Sequence, residues 1–170
     1  MAGTKSQDAI ALLKEDHRKI EGLFEKFEKA KGEGRKEKLA LEICRELTIH
    51  TILEEEIFYP AMEGKVEEGL LKEGLVEHDA SKVMIAEIEA GEPSDEFYDA
   101  KVKVLGEEIE HHFGEEEKPK DGIFAQARRS GVDMDALGEQ MALRKERLQD
   151  EIKANGVPDP EPTTFEEVEV

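Results

Sequence analysis

Four histidines lie on the apolar faces of four different predicted helices. The chain has 170 residues and only five histidines. Four of these follow hydrophobic residues at the spacings of three and four that mark one side of a helix: His17, His50, His78 and His112. A lone histidine on such a face is usually a hydrogen-bonded core residue. One on each of four helices predicts instead that the imidazoles converge in a shared interior.

Two of these histidines are followed, four residues later, by a glutamate on the same face. Glu54 follows His50, and Glu116 follows His112; residues at this spacing stack on one side of a helix. Burying an unpaired carboxylate costs several kcal/mol. Inward-facing cationic side chains are scarce on these faces, and Lys82 is the nearest candidate. A metal centre is therefore the simplest source of the compensating positive charge.

The order of the candidate ligands divides the chain into two similar helical hairpins. Each hairpin carries a histidine and then a His-x3-Glu pair, and the two histidines are 33 residues apart in the first hairpin and 34 in the second. Six ligands would enclose one ion completely. Shared between two ions, with Glu54 and Glu116 bridging, they leave open coordination positions. A mixture of imidazole and carboxylate suits iron or manganese, and Cys44 does not lie with the ligands.

The fourth predicted helix offers two His-x3-Glu pairs. The segment EIEHHFGEEE contains His111 with Glu115 as well as His112 with Glu116. The apolar positions that lead to Ile109 continue at helical spacing to His112 and Glu116, and they repeat the pattern of the second helix. This favours His112 and Glu116 as ligands, with His111 as a flanking residue.

Neighbours of the candidate ligands support less specific predictions. Glu55 and Glu117 directly follow the two glutamate ligands, and they are either solvated or hydrogen-bonded to ligands. Tyr59 and Tyr98 are predicted to be packing residues, with a redox-active tyrosine as the alternative. Cys44 is predicted to be a small core residue.

Four long helices and a fifth must position these residues. Asp8 is predicted to cap the first helix, and glycine or proline separates the helices that follow. The predicted helices run from Asp8 to about Lys31, from about Lys36 to a kink or end at Pro60, from Leu70 to Ala90, from a cap at Ser94 or Asp95 to the KPKDG turn, and from Asp133 to Ala154. Long helices with short connections predict an all-α, up-down-up-down four-helix bundle.

We expect three parts along the chain. The bundle should occupy residues 1–130 and an additional amphipathic helix residues 131–154. Residues 155–170, which read NGVPDPEPTTFEEVEV from Asn155 onward, should form a disordered acidic tail because they are rich in proline and carboxylates.

Composition limits the partners. A net charge of −19 repels phosphate backbones, so we expect no nucleic-acid partner. No run of about twenty apolar residues occurs, so we expect no membrane span. The N-terminus lacks the pattern of a secretory signal, and Cys44 is the only cysteine. These features favour a cytoplasmic protein.

Four segments resemble the hemerythrin-like, HHE cation-binding family: LLKEDHRKIEGLFEKFE, IHTILEEEIFYPAM, VEHDASKVMIAEIE and IEHHFGEEE. The resemblance covers roughly residues 8 to 130. It implies a four-helix bundle that holds two non-haem iron ions joined by an oxo or hydroxo bridge. It also implies the ligand assignment: His17 and His50 to one iron, His78 and His112 to the other, and Glu54 and Glu116 as bridges.

Two departures from the family pattern bear on function. Oxygen-carrying members have a His-x3-His pair on the third helix, whereas Gly74 and Lys82 flank His78 at that spacing here. After the second His-x3-Glu pair, KPKDGIFAQA replaces the usual Phe-Pro turn. One fewer imidazole leaves an exchangeable position on both irons, which favours redox chemistry over oxygen carriage.

The sequence leaves three classes of function open. The first is a di-iron protein that reacts with a small oxidant, O2, H2O2 or NO, with catalase-like peroxide decomposition as its enzymatic form. The second is a non-catalytic sensor, carrier or iron reservoir. The third is an acidic bundle without a metal. No protein partner is indicated.

Overall fold

The structure is a computed structural model that describes residues 7–166, and this part of the chain is helical without any strand. A π-helical turn, Glu54–Phe58, interrupts the second long helix. The helices are α1 (Ala9–Lys29), α2 (Glu33–Leu53), α3 (Tyr59–Met62), α4 (Glu68–Ala90), α5 (Tyr98–Glu117), α6 (Ile123–Arg129) and α7 (Met134–Asn155). No helix in residues 7–166 is both long and apolar enough to cross a membrane.

Helices α1, α2, α4 and α5 form the predicted four-helix bundle. Helix α1 packs against α2 and α5, and α4 packs against the same two helices, so the four close a ring in up-down-up-down order. Helix α7 lies outside this ring against α1 and α2. The predicted all-α architecture is therefore confirmed, including the additional helix.

Two apolar clusters fill the bundle, one on each side of a polar layer. Along α1, Leu13 belongs to the first cluster and Ile20 to the second, and His17 lies between them. Along α2, Leu47 belongs to the second cluster and Leu53 to the first. On both α1 and α2 the histidine thus lies at the level where one cluster gives way to the other.

Helices α1 and α7 begin with a side-chain N-cap, whereas α5 does not. Asp8 accepts a hydrogen bond from the Ala11 N–H at 2.9 Å, and Asp133 accepts from Ala136 at 3.0 Å, as N-cap residues do. The cap predicted at Ser94 or Asp95 is wrong. Helix α5 begins at Tyr98 without a side-chain cap, because Asp95 instead accepts from the Glu92 N–H at 2.7 Å within the preceding turn.

Pro60 neither ends nor sharply breaks the second helix. The chain passes through one π-helical turn and then continues as α3. The Tyr59 N–H donates to the Glu54 carbonyl, a bond that spans five residues instead of four. A proline inside an α-helix removes a donor and crowds the preceding turn, and the π-helical turn lies in this preceding stretch. The wider turn places Tyr59 directly above Glu54.

The segment between α5 and α7 contains a short helix that the sequence did not indicate. Helix α6 was not predicted, and it replaces part of the assumed turn after α5. Helix α7 approaches α1 closely at Gly138, where a Cβ would collide with the backbone of Gln7 and Ala9. Residues 156–166 form no helix or strand, but residues 163–165 are hydrogen-bonded to Asp79 of α4. The last four residues of the predicted tail lie outside the described part of the chain.

Candidate metal centre

All six predicted ligands meet at the polar layer inside the bundle. His17 comes from α1, His50 from α2, Glu54 from the π-helical turn and His78 from α4, while α5 supplies two side chains. These last two are His112 and Glu116. Each of the six is buried, with at most 3% of its surface exposed. The sequence pattern therefore identified residues that the fold does bring together.

The six side chains form two groups of three, and each group mixes the two hairpins. The donor atoms of His17, His50 and Glu116 lie within 4.8 Å of one another, and so do those of Glu54, His78 and His112. Each group thus combines the histidines of one hairpin with the glutamate of the other.

Each glutamate also reaches the group to which it does not belong. Glu54 Oε1 lies 3.2 Å from Nε2 of both His50 and His78. Glu116 Oε1 lies 3.3 Å from Nε2 of both His17 and His112. The two carboxylates therefore stand between the two groups, as bridging ligands would.

The buried atoms without hydrogen-bond partners lie mainly at this centre. Within residues 7–166 these orphaned side-chain atoms are Nε2 of His17 and His50, both carboxylate oxygens of Glu54, Oε1 of Glu116, and Nδ1 of His78. A buried polar atom without a partner is costly. All of them except the His78 atom face the centre, so a cation placed there would satisfy them together. The nitrogen and oxygen donors suit iron or manganese.

A carboxylate also lies behind each imidazole. The Nδ1 atoms of the four histidines face separate acidic groups: Glu117 at 2.8 Å from His17, Asp16 at 3.3 Å from His50, Glu55 at 3.8 Å from His78, and Glu77 at 3.1 Å from His112. Hydrogen-bonded partners such as Glu117, Asp16 and Glu77 fix the orientation and tautomer of a metal-binding histidine, whereas Glu55 is too far from His78 to form a hydrogen bond. The Nε2 atoms of His17, His50 and His112 are consequently left to point inward, and that of His78 faces Glu54 at 3.2 Å.

Sequence reasoning found only half of these outer carboxylates. Glu55 and Glu117 stand out in the sequence because each follows a glutamate ligand. Asp16 and Glu77 were missed, although each directly precedes a histidine ligand and the repeat places them at matching positions of the two hairpins. With 43 acidic residues in the chain, an acid beside a histidine carries little information until the repeat is considered.

Helix α7 supports this outer layer from outside the bundle. Lys145 of α7 pairs with Asp16, the carboxylate behind His50. Burial opposes ionisation of Asp16, but contacts with His50 and Lys145 hold its pKa below the usual value. The additional helix therefore helps to keep Asp16 charged and His50 oriented.

Charge inside the cluster is divided unequally between the two glutamates. Burial and the neighbouring Glu54 raise the pKa of Glu116 to about 7. Burial also opposes ionisation of Glu54, but the charge of His50 and nearby hydrogen bonds hold its pKa well below the usual value. For His50, burial lowers the pKa, yet the attraction of Glu54 and Asp16 outweighs it and raises the pKa to about 10. Protons and a metal cation thus compete for the same buried atoms.

The alternative pair on α5 lies outside the centre. The His111 side chain is 68% exposed, and its Nε2 lies 3.7 Å from Glu77. Glu115 is not part of either ligand group. Lys82, the nearest inward cation by sequence, pairs with Glu55 and Asp79 instead of the ligands. Cys44 is fully buried in the core, where burial and the charge of Glu89 raise its pKa to about 12.

Tyr59 fills a space that Gly74 leaves open beside the centre. The π-helical turn aims Tyr59 inward, where its ring stacks on His78 at a centroid distance of 5.4 Å and its hydroxyl donates to Glu116 at 3.2 Å. A Cβ on Gly74 would lie 2.5 Å from the Tyr59 hydroxyl oxygen. The glycine that stands four residues before His78 is therefore matched to the tyrosine.

Replacing Gly74 with alanine is expected to destabilise the protein by about 1–3 kcal/mol, the usual cost of overpacking. This corresponds to a fall in Tm of about 2–10 °C for a chain of this size. Gly22→Ala is the matched control, because nothing lies within 4 Å of a Cβ on this glycine of α1. Without a clash, Gly22→Ala should raise stability by up to about 1 kcal/mol. Equal melting temperatures for the two variants would contradict the tight Gly74–Tyr59 contact.

Comparisons with known proteins agree with the fold and with the resemblance seen in the sequence. The family model for the hemerythrin HHE cation binding domain matches residues 8–119. A solved structure, a hemerythrin HHE cation binding domain-containing protein from Mycobacterium kansasii, is 22% identical. The match covers 88% of this chain and 94% of that one, with a TM-score of 0.71. No curated protein matches the chain. Because the family model spans most of the bundle, the chain belongs to the hemerythrin HHE cation-binding domain family.

Proposed function

We propose that the protein binds two non-haem iron ions and reacts with a small oxidant. The observation that carries this proposal is the position of the two carboxylates: each lies within 3.3 Å of histidines from both ligand groups. In the proposed arrangement His17 and His50 hold one ion, His78 and His112 hold the other, and Glu54 and Glu116 bridge them. A bound iron pair would supply exchangeable coordination positions and redox chemistry toward O2, H2O2 or NO.

The protein's own residues would prepare the site for that chemistry. The carboxylates behind His17, His50 and His112 hold these three rings with Nε2 inward. Tyr59 donates a hydrogen bond to Glu116 Oε2 at 3.2 Å and leaves Oε1 directed at the histidines. The two apolar clusters above and below the polar layer keep bulk water away from the ligands. These contacts favour a rigid, dry centre with little room for change on binding.

The burial of the centre favours a small reactant. All six proposed ligands are almost inaccessible to solvent, and two surface clefts of about 670 and 310 Å³ are lined by other residues. A molecule of two to four atoms fits this enclosure better than an organic substrate does. Peroxide decomposition is the enzymatic form of the proposal. A sensor, carrier or iron reservoir would use the same centre without turnover.

Metal analysis of the purified, iron-supplemented protein tests the proposal. We expect two irons per chain, together with near-ultraviolet absorption from an oxo- or hydroxo-bridged ferric pair. Addition of peroxide then separates the two roles: oxygen evolution assigns an enzyme, whereas stable binding assigns a sensor, carrier or store. No more than one tightly held metal after supplementation would contradict the two-ion centre.

A further inference from the structure

The C-terminal segment lies over a groove between α2 and α4. We call residues 157–165 the strap. A cleft of about 310 Å³ separates it from the bundle. Thr48 and Ile52 of α2 and Ile85 of α4 line the floor of this cleft, and Pro158 and Pro160 of the strap line its outer side. The strap therefore covers a cleft that would otherwise face solvent.

One buried carboxylate anchors the far end of the strap. Asp79 of α4 is fully buried. It accepts hydrogen bonds from the backbone N–H groups of Thr163 at 3.0 Å, Thr164 at 2.7 Å and Phe165 at 3.0 Å. The Thr164 hydroxyl also donates to it, at 2.6 Å. Three successive N–H groups on one carboxylate form a specific anchor, since charged acceptors make the stronger hydrogen bonds.

The strap also connects to the outer layer of the metal centre. Lys82 Nζ donates to the Glu161 carbonyl oxygen at 3.0 Å and to Glu55 Oε1 at 2.8 Å. Glu55 lines the cleft, and its second oxygen lies 3.8 Å from Nδ1 of His78. Glu55 therefore lies between the cleft and a proposed iron ligand.

The strap is held less firmly than the helices beneath it. Its residues from 158 to 165 are exposed, and ordering such a segment costs conformational entropy comparable to the gain from a few hydrogen bonds. Asp159 approaches Glu89, and burial together with this like charge raises the pKa of Glu89. Segments with few buried contacts open far more readily than a bundle core.

We propose that the strap is a gate to the metal centre. Docked on Asp79 it narrows the mouth of the cleft, and released it widens the path for small molecules toward Glu55 and His78. The gate rests on the proposed function, because the iron centre is the site to which it would control access. The docking of the strap on Asp79 does not depend on iron.

The full-length protein with Thr164→Pro tests the gate. Proline removes both the N–H and the hydroxyl that Thr164 donates to Asp79, and it leaves the helices untouched. Thr164→Ser is the matched control because it keeps both donors. Hydrogen exchange of residues 157–166 reports docking without reference to iron. The rates of azide binding and of iron extraction by a chelator report access to the centre.

We expect faster exchange in the strap of Thr164→Pro and an increase of about threefold or more in both access rates, since entry follows the open fraction of the strap. Thr164→Ser should match the unmodified protein in all measurements. Faster exchange with unchanged access rates would overturn the gate, and unchanged exchange would overturn the anchor. A protein that holds no iron would instead refute the proposed function and the gate with it, while the exchange measurement would still show the strap docked.

Discussion

Replacing His112 with alanine is expected to remove bound iron, whereas replacing its neighbour His111 leaves the iron content unchanged. His112 is 3% exposed, and its Nε2 lies 3.3 Å from Glu116 and 3.1 Å from Nε2 of His78. Removing only an outer hydrogen-bonding partner of a ligand commonly weakens metal affinity by about 10–100-fold, so losing the ligand itself should exceed that range. Metal analysis of the two purified variants measures the difference.

The His111 variant is a control because the two histidines are adjacent on one helix and differ mainly in direction. The His111 side chain is 68% exposed, so its removal should leave both packing and metal content near those of the unmodified protein. Circular dichroism of each variant checks that α5 remains helical. If His111→Ala loses iron and His112→Ala keeps it, the ligand register on α5 is displaced by one residue and Glu115 takes the role assigned to Glu116.

Removing the metal is expected to lower the melting temperature clearly. A ligand that binds only the folded protein stabilises it by about 2.7 kcal/mol when its concentration is a hundred times the dissociation constant. For a domain of this size that gain corresponds to about 5–10 °C in Tm. Thermal unfolding of the iron-loaded and chelator-treated proteins at one pH measures the gap. Identical melting curves and identical peroxide turnover would contradict a shared iron centre.

The same gap should widen as the pH rises from about 5 to 8. Metal binding must displace the proton of Glu116 below its pKa of about 7 and the proton of His50 below its pKa of about 10. Below pH 7, metal binding must displace the protons of both Glu116 and His50. Above pH 7, Glu116 is already ionised and only the proton of His50 must be displaced, so competition from protons weakens as the pH rises. Acidification should therefore release the bound iron, and the near-ultraviolet absorption band should be lost to the same extent. A gap independent of pH would show that these groups are not ligands.

Helical periodicity was sufficient to predict the architecture and the inward face of each helix. The spacing that carries Ile109 to His112 and Glu116 is a local property of one helix, and the fold preserves it. The choice between His111 and His112 could be made for the same reason, because a shift of one residue turns a side chain about 100° around the helix. Local pattern thus determined which side chains face inward.

Contacts between helices could not be predicted in the same way. The grouping of Glu116 with His17 and His50 depends on how the hairpins dock, and the partnership of Asp16 with His50 depends on the distance between α1 and α2. The π-helical turn at Glu54 arises near Pro60, where a kink or helix end is the more common outcome. Each of these features follows from three-dimensional proximity, for which a single sequence holds no periodic signal.

The mixing of the two hairpins has a consequence for biosynthesis. One group of proposed ligands needs Glu116 and the other needs His112, and both residues belong to α5. A nascent chain that has released only its first three long helices from the ribosome would therefore complete neither group, since it lacks His112 and Glu116. The full set of proposed ligands would exist only after residue 116 has emerged and the hairpins have closed. Metal insertion would then follow translation, and it would select for chains whose two halves have assembled correctly.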